Sequence, residues 1–410
     1  MRLHSITSLI RHASQYEIRH RPLYIVSLGM FFFMIFDGMM SYLTPIIISN
    51  AGYSNTAMGF IYGFSSFAGA VFDIILSKVI HRTSYRRIFF VMLASALFFP
   101  LSMMQGHMTF MILIGMAVWG LYYDLIGFGT FNFVTTRTPR AEHAETFGII
   151  EIFRSIGRII APLMAALTIG SVLTSRPFFV AILFLSISML IFILLYLSEK
   201  SQGLKLKPPI EEKVVKGAKS LSKMQIWKTL NHKVWTVFSI RLILNIFDAF
   251  IWALGPLWLS GSASGLFVMV YSLPIIIVGW FLGNITKTFG KKRTGFVSFI
   301  IGALIFSFIY RVSNTWEILA ITFIASIFIS LSWPAISGAM ADYIDEKRGW
   351  ESEIEGMGDL YANLGYVIGP MLAGFMSDKI GTSLAFSSMA IILAALTLIL
   401  MNLTPRKIKL

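Results

Sequence analysis

Four ionisable residues stand near the middle of long apolar runs: Asp37, Asp124, Arg158 and Asp248. Two of them share a local pattern. Residues 35–45 read "IFDGMMSYLTP" and residues 246–256 read "IFDAFIWALGP", each with a lone Asp and a Pro eight residues later. A charge at the centre of a membrane-spanning segment costs roughly 2.5–3.5 kcal/mol, so these side chains are expected to face water or one another. The chemistry on offer is proton exchange. Burial and a nearby guanidinium act in opposite directions on a carboxyl, so its protonation can follow conformation. Asp37, Asp248 and Asp124 are the proton-coupling candidates, with Arg158 as counter-ion for Asp37 or Asp124. A fixed salt bridge that only locks helix packing is the competing reading.

The elements that must carry these groups are spanning helices. Of 410 residues 56% are hydrophobic and only 13% charged, far below the quarter typical of soluble domains. Apolar runs of spanning length recur along the whole chain. They predict twelve transmembrane helices near 22–49, 56–80, 87–105, 108–134, 145–172, 177–198, 234–260, 264–286, 294–310, 315–341, 355–377 and 382–402. The parts are then a cytoplasmic N-terminal segment 1–21, a six-helix half 22–198, a linker 199–233, a second six-helix half 234–402 and a tail 403–410. On this map 28 Lys or Arg fall at the termini and the loops on their side, against three (Arg176, Arg311, Lys379) opposite. That bias predicts an integral, multi-pass protein of the cell membrane with both termini cytoplasmic. The net charge of +14 is thereby a topology signal and calls for no nucleic acid. The linker carries nine Lys against three Glu. It follows the same rule, or docks on anionic headgroups.

The two halves repeat each other. Asp37 and Pro45 correspond to Asp248 and Pro256 at a shift of 211, and Glu145–Pro162 corresponds to Glu353–Pro370 at 208. Six spans per half make these parallel repeats. Polar stripes mark the cavity side of two helices. Arg241, Asn245 and Asp248 fall at i, i+4 and i+7; Glu151, Arg154 and Arg158 are spaced by three and four, with Glu151 pairing Arg154. Pro45 and Pro256 lack an N–H and can kink their helices, which makes them gate or hinge candidates. Tyr122, Asn245, Trp252 and Tyr271 are candidate cavity-lining residues, although most such rings in membranes are packing or interface anchors. The 22 Met are core filler by default, or an adaptable lining for apolar ligands.

Enzyme motifs are missing. There is no cysteine, no G-x-x-x-x-G-K-[ST] phosphate loop and no His pair at metal spacing, so no cofactor or metal is expected.

With its 6+6 spans, long central loop and basic loops after spans 2 and 8, the chain resembles the major facilitator superfamily. The loops contain Arg86 and Arg87 in the first half and Gly290, Lys291, Lys292 and Arg293 in the second; "GYVIGPMLAG" (365–374) also fits. It departs from the pattern at His81 and Lys287, where an acid is usual, and at Ser84. Glu145, Glu353 or Glu355 could supply the missing carboxylates. The resemblance implies an all-α fold whose first and fourth helices of each half line a central cavity. It also implies a secondary transporter working as a monomer by alternating access, with Arg241 or Arg158 meeting any substrate charge. Proton-coupled export of amphipathic compounds is one expectation; uptake or exchange of a small organic anion or sugar is another. A receptor or scaffold that moves nothing is the rival of a different class, and an intramembrane enzyme a more distant one.

Overall fold

The computed structural model describes residues 6–79, 83–138, 142–169, 173–201, 223–346 and 350–405. Within them the regular structure is helical. Inside a bilayer no water can satisfy backbone groups, and a helix satisfies all of its own. The first half comprises α1 (Ile6–Asn50), α2 (Asn55–Val79), α3 (Tyr85–Met103), α4 (Thr109–Arg137), α5 (His143–Thr168) and α6 (Arg176–Ser201). The second comprises α7 (Lys223–Trp258), α8 (Ser262–Ser272), α9 (Pro274–Phe289), α10 (Lys291–Phe306), α11 (Thr315–Glu346), α12 (Glu351–Ile380) and α13 (Thr382–Leu403). Residues 202–222, most of the Lys-rich linker, lie outside the described residues.

Nine of the described helices are long and apolar enough to cross a membrane, and α8 with α9 makes a tenth. The last two spans are α5 and α12. Both are long, at 26 and 30 residues, but their charges dilute the apolar signal. Three boundaries differ most from the sequence reading, the first being that of α1, which begins at Ile6 instead of near 22. Helix α7 starts about three turns before 234, because Ile226, Leu230 and Val234 repeat every four residues and all are buried. The eighth span, expected as one helix over 264–286, is interrupted at Leu273–Pro274, and Ser262–Val278 and Phe281–Phe289 differ in direction by 72°.

The halves meet along two seams that are equivalents under the repeat: α2 against α12, and α8 against α5. Each seam needs backbone contact. A Cβ on Gly59 would stand 2.0 Å from the Pro370 carbonyl oxygen, and one on Gly265 would stand 2.6 Å from that of Pro162. Small residues of this kind let spanning helices touch. A hydrogen bond of 2.6 Å between the hydroxyls of Tyr42 on α1 and Ser264 on α8 adds to the closure. These contacts lie at the face opposite the termini. Toward the terminal face the halves part around a cavity.

Candidate functional site

The cavity holds about 900 Å³ and is walled by both halves. Its position follows from the polar stripes. Arg241, Asn245 and Asp248 all line it from α7, and Glu151, Arg154 and Arg158 line it from α5. Burying either stripe against lipid would leave charges unsolvated, so the helices turn these faces to water. Asp73, Asp124, Glu355 and Asp359 complete the charged lining. Six acids thus face three arginines.

The two repeated aspartates differ in access. Asp248 is on the wall, and its Oδ2 accepts a 2.7 Å hydrogen bond from the Tyr366 hydroxyl. Asp37 lies behind the wall and is 1% exposed. Its Oδ1 accepts hydrogen bonds from the Tyr122 hydroxyl at 2.8 Å and from Trp119 Nε1 at 3.1 Å. Those two donors are held in turn by aromatic packing. Trp119 stacks on Phe99 at 5.4 Å and meets Tyr62 edge-on at 5.2 Å, and Tyr122 meets Phe33 edge-on at 5.6 Å.

Arg158 does not make the ion pair expected of it. No carboxylate among the described residues lies within salt-bridge distance of it. Its guanidinium lies over the Trp252 ring, 5.2 Å from the centroid, and Nη1 is 3.4 Å from the Tyr123 hydroxyl. Arg158 belongs to the first half and Trp252 to the second, so this cation–π contact crosses the cavity. Trp252 is 4% exposed beneath it. Arg158 is nonetheless within Coulombic reach of both Asp37 and Asp248.

The other candidates fall into three groups. Asn245, Trp252 and Tyr271 are mostly buried but stand in the cavity wall, whereas Tyr122 does not. Its ring is fully buried behind Asp37, and the neighbouring Tyr123 takes the place on the wall. Arg241 is committed to Asp359 at 3.0 Å, and Arg154 to Glu151 at 2.8 Å. Asp124 lines the cavity with Oδ2 buried and without a hydrogen-bond partner. Pro45 and Pro256 are buried in the closing turns of α1 and α7, and neither helix is interrupted there. In the loops, Gly290 adopts φ +81°, which ends α9 and starts α10. Lys291 then pairs with Asp342 on α11, so its carboxylate comes from within its own half. Lys292 reaches the Pro405 carbonyl at 2.9 Å, and Arg86 lies 5.7 Å from the Tyr196 ring.

Sequence reasoning missed Trp119, Tyr366 and the reach of Arg158 to Trp252. Trp119 was the most accessible of these, since it stands one turn before Tyr122 on the same helix face. Tyr366 was not, because its contact depends on how α12 packs on α7.

Comparison with known proteins supports the same picture. The chain is 25% identical over 154 residues to the quinolone resistance protein NorA of Staphylococcus aureus (strain Mu50 / ATCC 700699), covering 36% of this chain and 37% of that one. It is 27% identical over 176 residues to multidrug resistance protein 1 of Bacillus subtilis (strain 168), covering 38% and 44%. The matches therefore span less than half the length of these relatives. In fold the likeness is end to end. The nucleoside transporter NupG superimposes with a TM-score of 0.70 at 13% identity, over 93% of this chain and 98% of that one. A bacterial homologue of the human lysosomal transporter Spinster, crystallised inward-facing and unoccupied, gives 0.72 at 13%, over 94% and 95%. The profile of the Major Facilitator Superfamily matches residues 27–260 and again 237–410. Matched along both halves and sharing the superfamily's fold throughout, this chain belongs to the major facilitator superfamily and is a membrane transporter.

Proposed function

We propose that this transporter is a proton-coupled exporter of cationic amphipathic compounds. The observation that carries the reading is the arrangement of Asp37, Arg158 and Asp248. Two acids from equivalent helices of the two halves flank one arginine that is parked on an aromatic ring instead of on either of them. A flat cation entering the cavity competes with Arg158 for Trp252 and is attracted by the excess of acids. Arg158, once displaced, moves toward Asp37 and favours its ionised form, so substrate and proton exchange for each other. The named relatives, resistance proteins over the aligned stretches, support export. The anion or sugar reading loses its second cation, because Arg241 is already paired with Asp359. A receptor with locked charges is disfavoured by Asp124, whose buried oxygen has no partner. In this reading the terminal face is cytoplasmic, one chain suffices, and the cavity opens to the cell interior.

The test uses purified protein in liposomes under an imposed pH gradient, with ethidium, benzoate and glucose as probes. Ethidium should move against its gradient and the other two should not. Movement of benzoate or glucose alone would replace this reading. Arg158→Lys keeps the charge but not the planar face, and a cation–π contact at a partly exposed site is worth about 1 kcal/mol. We expect that variant to bind ethidium and to exchange it across the membrane, with gradient-driven movement cut several-fold. Unchanged driven movement would show that the contact with Trp252 is incidental.

A further inference from the structure

Helix α2 begins at the closed face, and the first N–H groups of any helix have no partner within it. Here the Ala57 N–H finds the neighbouring Ser54 hydroxyl at 3.2 Å, and the Asn55 and Thr56 N–H groups are satisfied from the other half of the molecule. The Asp378 carboxylate accepts the Asn55 N–H at 3.2 Å, the Thr56 N–H at 2.8 Å and the Thr56 hydroxyl at 2.7 Å. Beside it, the Asn55 side-chain amide donates to the Ser377 hydroxyl at 3.2 Å. The backbones come close enough because position 374 is a glycine: a Cβ there would stand 1.9 Å from the Asn55 carbonyl oxygen.

Two further facts make this contact more than a surface hydrogen bond. Helix α2 has no acid in its own first turn, so Asp378 is the charge that complements its N-terminal dipole. In its own helix Asp378 is badly placed. It lies in the last turn of α12, where the dipole disfavours an anion. Its position is favourable only while the halves are together. The repeat does not duplicate it either, since the position corresponding to Asp378 at the shift of 208 is Gly170.

We propose that Asp378 is a latch: it completes the cap of α2 from across the seam and holds the face opposite the termini closed, so that opening that face strips the Asn55 and Thr56 N–H groups of their partner. The latch biases the resting protein toward the conformation seen here, with the cavity open on the terminal side. It is independent of what the cavity carries.

The chain contains no cysteine, so a single introduced thiol reports on opening without background. Ser264→Cys places one at the seam, where the side chain is 2% exposed and outside the cavity wall. Ser188→Cys places a control inside the first half, where it is 0% exposed. The rate of maleimide modification is measured on full-length protein in nanodiscs. Loss of a helix cap shifts a two-state equilibrium about two- to thirtyfold. Asp378→Ala should therefore speed modification at position 264 by that factor and leave position 188 unchanged. Asp378→Asn keeps an acceptor but not the charge, so it should give a smaller increase. Equal rates in parent and variant overturn the latch, and so does equal acceleration at both positions, which would mean general loosening. If the alanine variant does not fold, Asp378→Asn decides alone: a rate at position 264 no faster than the parent's overturns the proposal.

Discussion

Asp37→Asn should reduce pH-driven ethidium movement in proteoliposomes to the level of protein-free vesicles, while ethidium exchange at equal pH persists. The asparagine fits the same space and still accepts from Trp119 and Tyr122, so the aromatic cage should survive. It cannot take up or release a proton. Exchange needs only the conformational change with substrate bound; driven movement needs a proton to travel the other way. The separation of the two assays is the informative result. Loss of both would assign Asp37 to folding or substrate binding, and loss of neither would remove it from the mechanism. Asp248→Asn should behave differently, because Asp248 stands on the cavity wall, where the proposed cycle brings substrate against it. There we expect weaker ethidium binding as well as weaker coupling.

The second large effect is expected at Gly59. An alanine there would place its Cβ 2.0 Å from the Pro370 oxygen, whereas ordinary contact begins near 3.4 Å. The obstacle is backbone, which cannot rotate away, so α2 and α12 must separate by more than an ångström. Overpacking of this kind costs about 1–3 kcal/mol, equivalent to a shift of about 5- to 150-fold toward the conformation with that seam open. Gly59→Ala should accordingly accelerate maleimide modification of Ser264→Cys and slow transport, since the cycle must pass through the closed seam. Unchanged modification and full transport together would show that the seam tolerates a side chain and is looser than its geometry implies.

Much of the architecture is legible from the residues. The duplicated Asp and Pro, the matched glycines of the fifth span in each half, and the lopsided Lys and Arg give the twelve spans and the repeat. The α7 stripe of Arg241, Asn245 and Asp248 marks the side of the helix that forms part of the cavity wall, because charged groups on a spanning helix are costly against lipid. The failures share a cause. Helix α4 is apolar on nearly every side, so nothing in its sequence says whether Tyr122 or Tyr123 turns to the cavity. The partners of Arg158, Asp248 and Asp378 come from distant helices, Tyr366 and Thr56 among them, and their meeting is a product of packing. A one-dimensional pattern identifies which groups need company. It does not say which company they find.

In the proposed proton-coupled cycle, the enclosure of Asp37 carries a consequence for the cell's energy supply. A carboxyl that water could reach from either side would ferry hydrogen ions across whenever it flickered, and an idle carrier would drain the membrane's stored charge. Sealed under Trp119 and Tyr122, this group is insulated until the helices around it shift. Many copies can therefore stand ready at little metabolic expense.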